Sequence, residues 1–245
     1  MPIPALNVRP TVSYRALFRS LSLRRFEAYS LESDGDSVDA AARYLWNMAL
    51  GAAITPVLHL VEVSCRNAIY EVGCETTAGR GLRTGSVPCW LDAVPTLLQP
   101  REEAEVVKAV RRLGRGRHTP GHLVGQLGFG FWDGLCERPY EHGRTSGPQL
   151  WPRAVKRFQN APKHDRNRPA IWSALNDLRE YRNLIAHYHP IWDRDPVGWH
   201  SRAIEVLGWM NPGLAAVTRA LSALEAVYDA GPAAFRADAE KSLYI

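Results

Sequence analysis

PAIWSALNDLREYRNLIAHYHPIW, residues 169 to 192, decides the fold that this sequence predicts. Apolar side chains recur along it every three or four residues, at Ile171, Leu175, Leu178 and Ile185. At about 100° per residue these positions form one stripe of an α-helix, with Ala174 and Tyr181 beside it. The spacing therefore predicts a helix over residues 169–188 that buries this stripe and stops before Pro190.

Helical spacing continues through most of the chain. One further stripe consists of Val57, Leu58, Val61, Cys65, Ala68, Ile69 and Val72, and a shorter one precedes it at Leu45, Met48, Ala49 and Ala52. We expect Pro56 to separate two helices, because proline is tolerated in a first turn but not in a helix interior. Gly73 should end the second helix, with a loop over residues 73–89. No segment alternates as a strand does, so the fold should be all-α.

Start and stop signals place the remaining helices. Pro100 should begin one that Gly114 ends, and Thr119 should cap the next, with Pro120 at its first position. We also expect a short basic helix in LWPRAVKRFQNA, one around Ile204 to Trp209, and a last one from Pro212 to about Tyr228. The predicted organisation is an N-terminal extension over residues 1–21, a single helical domain over residues 22–228 and a C-terminal tail over residues 229–245.

The bulk composition is that of a packed globular protein. The 245 residues are 46% hydrophobic, and the formal charge of +5 with a pI near 9.2 favours a polyanionic partner. The chain begins without the cationic and apolar pattern of a signal peptide, and no apolar run approaches the roughly 18 residues of a membrane span. The four cysteines form no C-x-x-C pair and are expected to be buried or idle thiols. We expect a cytoplasmic protein.

Arg182 is the anomalous residue of the long helix. It falls between Leu178 and Ile185 on the apolar stripe, where a buried guanidinium needs an anion or a wet cleft. A second, wholly polar stripe contains Asn176, Glu180, Asn183 and His187. In an ideal helix Arg182 and His187 project roughly 140° apart, so they meet at one substrate only if the helix is distorted or a second copy packs beside it. Simple capping of the last carbonyls is the alternative explanation for both residues.

Five blocks of the sequence carry a resemblance to a known family. They are SLRRFEAY, RYLWNMALGAAITPVLHLVEVSCRNAIYE, TPGHLVGQLGFGFW, LWPRAVKRF and YRNLIAHYHPIWDRD, in this order. Together they resemble the Abi-like (abortive-infection) family of bacterial proteins, which belongs to the HEPN superfamily. The resemblance runs from about Ser22 to about Pro212. It implies a HEPN-like helical bundle with additional helices.

The resemblance also implies an activity. Many HEPN proteins are metal-independent RNases whose signature is an Arg, a polar residue and a His at a helix end, which here are Arg182, Asn183 and His187. The motif helices of two protomers are expected to pair, which gives a homodimer. The implied reaction cuts RNA through the 2′-hydroxyl, leaving 2′,3′-cyclic phosphate and 5′-hydroxyl ends, without a cofactor or metal. Such a toxic enzyme acts in phage defence and needs an RNA or protein inhibitor or activator, which no residue identifies.

Accessory roles are expected for residues near the motif. Family members commonly read AHHEPI where this chain has Tyr188 and His189 before Pro190, so His189 is expected to share or perturb proton transfer. A HEPN subgroup has a modified Tyr two places after its His, but Tyr188 lies one place after His187, so this regulation is not assumed. The block EVSCRN adds Glu62, Arg66 and Asn67. A role for them in orienting Arg182 or His187 competes with an ordinary Glu62–Arg66 ion pair.

Three other features invite a functional interpretation. A metal site at His187, His189, Asp193 and Asp195 is the weaker alternative, because Pro190 interrupts the spacing. In GFGFW, residues 128–132, we expect close helix packing through Gly128 and Gly130 rather than base stacking by the aromatic rings. The basic cluster Lys108, Arg111, Arg112, Arg115 and Arg117 is either a solvated face or a track for the RNA backbone. A second cluster runs from Arg153 to Arg168. A HEPN-type RNA- or protein-binding module without catalysis is the alternative to the nuclease.

Overall fold

A computed structural model describes residues 28–29, 37–77, 81–82, 89–94, 96–116, 118–142, 150–151 and 153–243. The expected N-terminal extension and all but the last two residues of the block SLRRFEAY lie outside these residues. The described part is predominantly helical, which confirms the all-α prediction. Its one sheet is a minimal antiparallel pair of strands β1 (Gly81–Leu82) and β2 (Ala93–Val94), too short to show alternation in the sequence.

Ten α-helices make up the described fold. They are α1 (Ser37–Thr77), α2 (Pro100–Leu113), α3 (Pro120–Val124), α4 (Phe129–Gly134), α5 (Pro139–His142), α6 (Arg168–Ala186), α7 (Pro196–Met210), α8 (Pro212–Leu221), α9 (Leu224–Ala230) and α10 (Arg236–Leu243). Short 3₁₀ helices cover Trp90–Asp92, Arg153–Phe158 and Pro232–Phe235. The short basic helix expected in LWPRAVKRFQNA is therefore a 3₁₀ helix over Arg153–Phe158.

The chain divides into two compact units, each discontinuous in sequence. Among the described residues, the first unit contains residues 28–29, 37–54, 184–197 and 222–243. The second contains residues 55–183 and 198–221. One division falls within α1 and another within α6, between Asn183 and Leu184.

The prediction that Pro56 separates two helices is wrong, because α1 continues through it for 41 residues. Proline removes the hydrogen bond to the carbonyl four residues earlier, here that of Ala52. Ala52 and Pro56 are both exposed, so water can satisfy the carbonyl that the proline leaves without a donor. The position of the proline on the solvent side explains why the helix is not interrupted.

The apolar stripe predicted for the start of α1 is one residue out of phase. Met48 and Ala52 are exposed, whereas the buried residues include Tyr44, Asn47, Leu50, Gly51 and Ile54. Hydropathy favoured the predicted residues because none of them is polar or a glycine, whereas the buried face contains Asn47 and Gly51. In the second half of α1, the predicted residues Val57, Leu58, Val61, Cys65, Ile69 and Val72 are all buried, and only Ala68 of that stripe is partly exposed.

Gly73 does not end α1, and the loop expected over residues 73–89 begins later. The helix runs on to Thr77, and the hydroxyls of Thr76 and Thr77 donate to the carbonyls of Val72 and Gly73. A Cβ at position 73 would lie 2.0 Å from the indole of Trp90, which is buried. The glycine is therefore required by the close approach of Trp90 and is not a stop signal.

Aromatic side chains form the centre of the first unit. Tyr29 packs between Tyr44 and Trp192, with ring centroids 5.1 and 4.8 Å away. The indole N–H of Trp46 donates to the carbonyl of Val227 at 2.8 Å. This core includes the segment 191–192 that follows the motif helix, so the loop after α6 is anchored by a buried Trp.

The C-terminal segment 229–245 contains structure where a tail was expected. Ala239 of α10 is buried against Ala41 and Ala42, with Phe235 beside them, and Arg236 is ion-paired with Asp39. The single helix expected from Pro212 to Tyr228 is two helices, because Ser222 and Ala223 separate α8 from α9. The Ser222 hydroxyl accepts a hydrogen bond from the N–H of Leu224 at this break.

The second unit contains most of α6 and the helices before it. Of the stripe predicted on α6, Ile171, Ala174, Leu175, Leu178 and Tyr181 are buried, whereas Ile185 is only partly buried. The ring of Tyr181 stacks on that of Trp199 of α7, with the ring centroids 4.9 Å apart. Gly114 ends α2 with a φ of 72°, and Thr119 caps α3 with Pro120 in its first turn. Both boundaries confirm the sequence signals.

By length and composition alone, one described helix is apolar enough to cross a membrane. It covers Val38–Thr77, with a mean hydropathy of 1.6 in its most apolar window, of which 39% is buried within the protein. The core helix of a soluble protein meets the same criterion.

Candidate functional site

The motif helix α6 ends at Ala186, two residues before the predicted end. The N–H of Tyr188 donates to the carbonyl of Ile185, and the N–H of His189 donates to that of Leu184, both at 2.9 Å. This pair of bonds is the Schellman motif, in which the last carbonyls of a helix are satisfied by a reversed turn. His187 is therefore the C-cap residue, and the two imidazoles flank the turn.

Tyr188 occupies the left-handed position of this motif, with a φ of 54°. Glycine is the usual residue there, because a Cβ in this conformation costs roughly 1–2 kcal/mol. The Tyr188 side chain is 51% exposed. The turn thus retains a strained residue whose ring makes little contribution to the core.

Asn47 of α1 holds the chain on the far side of the turn. Its amide nitrogen donates to the carbonyl of His189 at 3.2 Å and to the hydroxyl of Tyr29 at 3.0 Å. Its amide oxygen accepts a hydrogen bond from the N–H of Ile191 at 2.8 Å. Asn47 is only 4% exposed, so these bonds are shielded from water. One side chain therefore fixes the backbone on both sides of Pro190.

The two imidazoles of this turn face solvent. His187 and His189 are both exposed, and their ring centroids are 6.5 Å apart with the ring planes at 78°. Neither ring has a hydrogen-bond partner among the described residues. The sequence allowed these imidazoles to cap the last carbonyls of the helix. In the structure backbone N–H groups cap the carbonyls of Leu184 and Ile185, and the imidazoles do not.

Arg182, in the second unit, lies beside an anion. Its guanidinium is 3.7 Å from the carboxylate of Glu62 on α1, and its side chain is 45% exposed. It also donates to the amide oxygen of Asn183 at 3.4 Å, a long hydrogen bond. The sequence required an anion or a wet cleft for this residue, and the structure provides an anion and exposure to solvent. The hypothesis that Glu62 orients Arg182 is supported by this contact, which at such exposure contributes little to stability.

The competing ion pair between Glu62 and Arg66 does not form. The Nε of Arg66 instead donates to the amide oxygen of Asn67 at 3.4 Å on the surface of α1. Of the three accessory residues expected in EVSCRN, only Glu62 contacts a residue of the motif in the described structure.

A buried ion pair that the sequence did not reveal lies further back on α6. Arg179 donates to the carboxylate of Asp133 at 2.6 Å and to the amide oxygen of Asn176 at 2.7 Å. Asp133 is only 3% exposed. Burial raises the pKa of the Asp133 carboxyl to about 6, although Arg179 acts in the opposite direction. This pair joins α4 to the motif helix.

The two basic clusters differ in how many of their side chains form ion pairs. Lys108, Arg111 and Arg112 of α2, together with Arg115 just after its end, are here called the basic face of α2. All four are exposed and have no ion-pair partner in the part of the chain that the structure describes. Arg117 lies outside that part. In the second cluster Arg157 pairs with Glu71 and Glu75, and Arg168 pairs with Glu141 at 2.8 Å. Lys156 and Lys163 of the second cluster are exposed as well, so the basic face of α2 differs in that none of its charges is paired with a carboxylate among the described residues.

The segment GFGFW serves the core. Phe129, Phe131 and Trp132 are at most 2% exposed, so these rings are closed to bases. The prediction of close helix packing through Gly128 and Gly130 is wrong. A Cβ would meet nothing at Gly128 and only an ordinary contact of 3.8 Å at Gly130.

The metal alternative and the cysteines have clear outcomes. Among the described residues no group of three or more His, Cys, Asp or Glu side chains is placed to hold a metal ion, so His187, His189, Asp193 and Asp195 do not form one. Cys65, Cys89 and Cys136 are buried and Cys74 is exposed. Two effects raise the pKa of the Cys136 thiol: the larger is a hydrogen bond with Cys65, and the smaller is burial.

Sequence reasoning missed Asn47, Asp133 and Arg179. The signal for Asn47 was an amide inside the apolar segment YLWNMAL, where a polar residue on a buried face needs partners. Asp133 gave a similar signal directly after GFGFW.

Comparison with protein-family models, with curated proteins and with solved structures finds no match for this chain.

Proposed function

We propose that this protein is a metal-independent endoribonuclease of the HEPN type, related to the Abi-like family, that cuts RNA through the ribose 2′-hydroxyl. The products are a 2′,3′-cyclic phosphate and a 5′-hydroxyl. The proposed setting is the cytoplasm of a bacterium under phage attack, where cleavage of RNA stops growth. The proposed assembly is a homodimer formed through α6, with an RNA or protein partner that restrains or activates it.

The roles follow from the chemistry of each side chain. His187 moves a proton at working pH, because imidazole is the side chain that ordinarily titrates near neutrality. Arg182 remains charged and offers a fork of N–H donors to the oxygens of a crowded phosphorane. Asn183 holds the guanidinium through its amide oxygen. Glu62 keeps Arg182 in place until a phosphate group competes for it.

One observation supports this proposal above the others: the side chains of Arg182 and His187 remain exposed to solvent in the folded protein. The Arg182 side chain is 45% exposed, and His187 is exposed without a hydrogen-bond partner among the described residues. The chain places these two groups five residues apart at the end of one helix. Structural arginines of this fold look different, since Arg168 is 10% exposed and bound to Glu141 and the Cys136 carbonyl.

The basic face of α2 favours a second candidate, an RNA-binding module without catalysis. Four exposed cations without ion-pair partners among the described residues fit a phosphate backbone whether or not it is cut. In this alternative Arg182 grips an anion and His187 has no chemical role. Both candidates bind RNA, and only cleavage separates them.

The test compares the purified wild type with Arg182→Ala and His187→Ala on end-labelled RNA, with and without EDTA. We expect the wild type to cut RNA equally well in EDTA and to leave cyclic phosphate ends. We expect each variant to lose at least about 10²-fold in rate, the usual contribution of a general acid–base or of an oxyanion-stabilising group. Growth arrest on expression should disappear with the same two substitutions.

Matched controls are available on the surface. His59→Ala removes an exposed imidazole from α1, and Arg219→Ala removes an exposed guanidinium from α8; neither residue belongs to the motif. Both controls should cut as fast as wild type. Equal cleavage by all five proteins points to a contaminating RNase, and RNA binding without cleavage supports the module. A strict need for a divalent ion contradicts the proposed mechanism.

A further inference from the structure

We propose that His187 and His189 of the same chain act together as the proton donor and acceptor of one cleavage event. This inference rests on the proposed nuclease function and deepens it by assigning a second catalytic residue. One imidazole would remove the proton of the 2′-hydroxyl, and the other would protonate the departing 5′-oxygen.

The arrangement of the two rings supports a pair. Their centroids are 6.5 Å apart and their planes are nearly perpendicular at 78°. This separation is too long for a hydrogen bond between ring nitrogens, so the rings do not satisfy each other. Both rings are exposed and lack a hydrogen-bond partner among the described residues. A phosphate group between them could place one oxygen within about 3 Å of each ring, the reach that proton transfer needs.

The backbone that carries the rings is fixed from two sides. On the helix side, the N–H groups of Tyr188 and His189 close the Schellman motif. On the loop side, buried Asn47 binds the His189 carbonyl and the Ile191 N–H. Pro190 between these two bonds has its φ locked by its own ring. The backbone positions from which the two imidazoles project are thus set by the fold before any substrate arrives, and this limits the separation that the rings can adopt.

The proposed step balances in protons and bonds. The neutral imidazole takes the proton of the 2′-hydroxyl while the 2′-oxygen forms a bond to phosphorus. The bond between phosphorus and the 5′-oxygen breaks, and the imidazolium gives its proton to that oxygen. The products are the cyclic phosphate and the 5′-hydroxyl, and one proton has moved between the two histidines. Solvent returns it, because both rings are exposed.

Two substrates identify the donor. One is an RNA dinucleotide with its natural 5′-oxygen, and the other carries sulfur at the bridging 5′ position, whose thiolate leaves without a proton. His187→Asn and His189→Asn are compared with wild type on both, with His59→Asn as the surface control. We expect each motif variant to lose about 10²-fold or more on the natural dinucleotide. On the sulfur substrate one of them should recover to near the wild-type rate, and that residue is the donor.

Each outcome has a defined meaning. If wild type cuts and His189→Asn is as fast as His59→Asn on both substrates, the pair is wrong while the nuclease function stands. If both motif variants are slow and neither recovers on the sulfur substrate, the division of roles is wrong. If wild type cuts neither substrate nor long RNA, the nuclease function itself fails. Circular dichroism of each variant confirms that surface substitutions leave the fold intact.

Discussion

Tyr188 shows how a single dihedral angle can be tested. Its φ of 54° lies in the left-handed region, where glycine is free of the steric cost that a tyrosine carries. We predict that Tyr188→Gly raises the free energy of unfolding by about 0.5–1 kcal/mol, since the relief of strain exceeds the entropy that glycine adds to the unfolded chain. Urea unfolding followed by circular dichroism measures the change.

Ala186→Gly is the matched control for Tyr188→Gly. It introduces the same residue two positions earlier, at the last helical and exposed position of α6, where glycine should cost about 0.5–1 kcal/mol. Opposite signs for the two variants support the Schellman turn. A loss of stability in both would show that Tyr188 is not in a left-handed conformation.

Asn47 provides a second prediction at the residue scale. Asn47→Ala removes three hydrogen bonds and leaves the N–H of Ile191 without its partner. We expect a loss of about 2–4 kcal/mol of unfolding free energy, because a buried donor without a partner adds its desolvation cost to the lost bonds. Asn67→Ala, at an exposed position on the same helix, should change stability by less than about 0.5 kcal/mol. Equal effects would mean that Asn47 does not anchor the turn.

At the scale of elements, helix boundaries could be predicted where the deciding chemistry is local. Gly114 and Thr119 act through their own backbone angles or side chains, and both boundaries are where the sequence placed them. Pro56 and Gly73 were misjudged because their effect depends on distant features: solvent at the Ala52 carbonyl and the indole of Trp90. The helix that carries Arg182 could be predicted from its own spacing, whereas the partners of Asn47 and Asp133 lie far along the chain. The roles of Arg182, Asn183 and His187 stay a prediction that depends on the resemblance.

The contact between α4 and α6 should make stability depend on pH. The pKa of Asp133 is about 6 in the folded protein and ordinarily near 3.8, so the folded state keeps a proton that the unfolded state releases. Stability attributable to this group is therefore greatest below about pH 4 and falls as the pH rises to 6. The change amounts to roughly 3 kcal/mol over that window.

Asp133→Asn isolates this effect, because the amide has no proton to lose. The difference in unfolding free energy between Asp133→Asn and wild type should shift in favour of the variant by roughly 3 kcal/mol between pH 4 and pH 7. Urea unfolding at several pH values measures it. Parallel curves for the two proteins would show that Asp133 titrates as an exposed carboxyl does.

The basic face of α2 gives a prediction about RNA binding. In the double variant Arg111→Gln, Arg115→Gln, the slope of log affinity against log salt should fall by about 0.7 for each lost contact with single-stranded RNA. Lys156→Gln with Lys163→Gln is the matched control, since it removes the same charge from exposed positions of the second cluster. Identical slopes for the two double variants would mean that RNA binding depends only on the net charge of the protein and not on where the charge lies.

At the scale of the whole molecule, the proposed dimer and the proposed histidine pair predict different results when inactive variants are mixed. If Arg182 and His187 of one site come from different protomers, a dimer of Arg182→Ala with His187→Ala retains one intact site of two. Random pairing makes half of the dimers mixed, so about a quarter of wild-type activity should return. The proteins are mixed, exchanged under mild denaturant and assayed on RNA.

Mixing His187→Ala with His189→Ala gives the opposite expectation. If both imidazoles of a site come from one chain, every site in the mixed dimer lacks one of them, and no activity should return. Recovery in this second mixture would show that the imidazoles of one site belong to different protomers, in spite of their 6.5 Å separation within one turn. Absence of recovery in the first mixture would place Arg182 and His187 of one chain in the same site, and the reaction would then need no partner subunit.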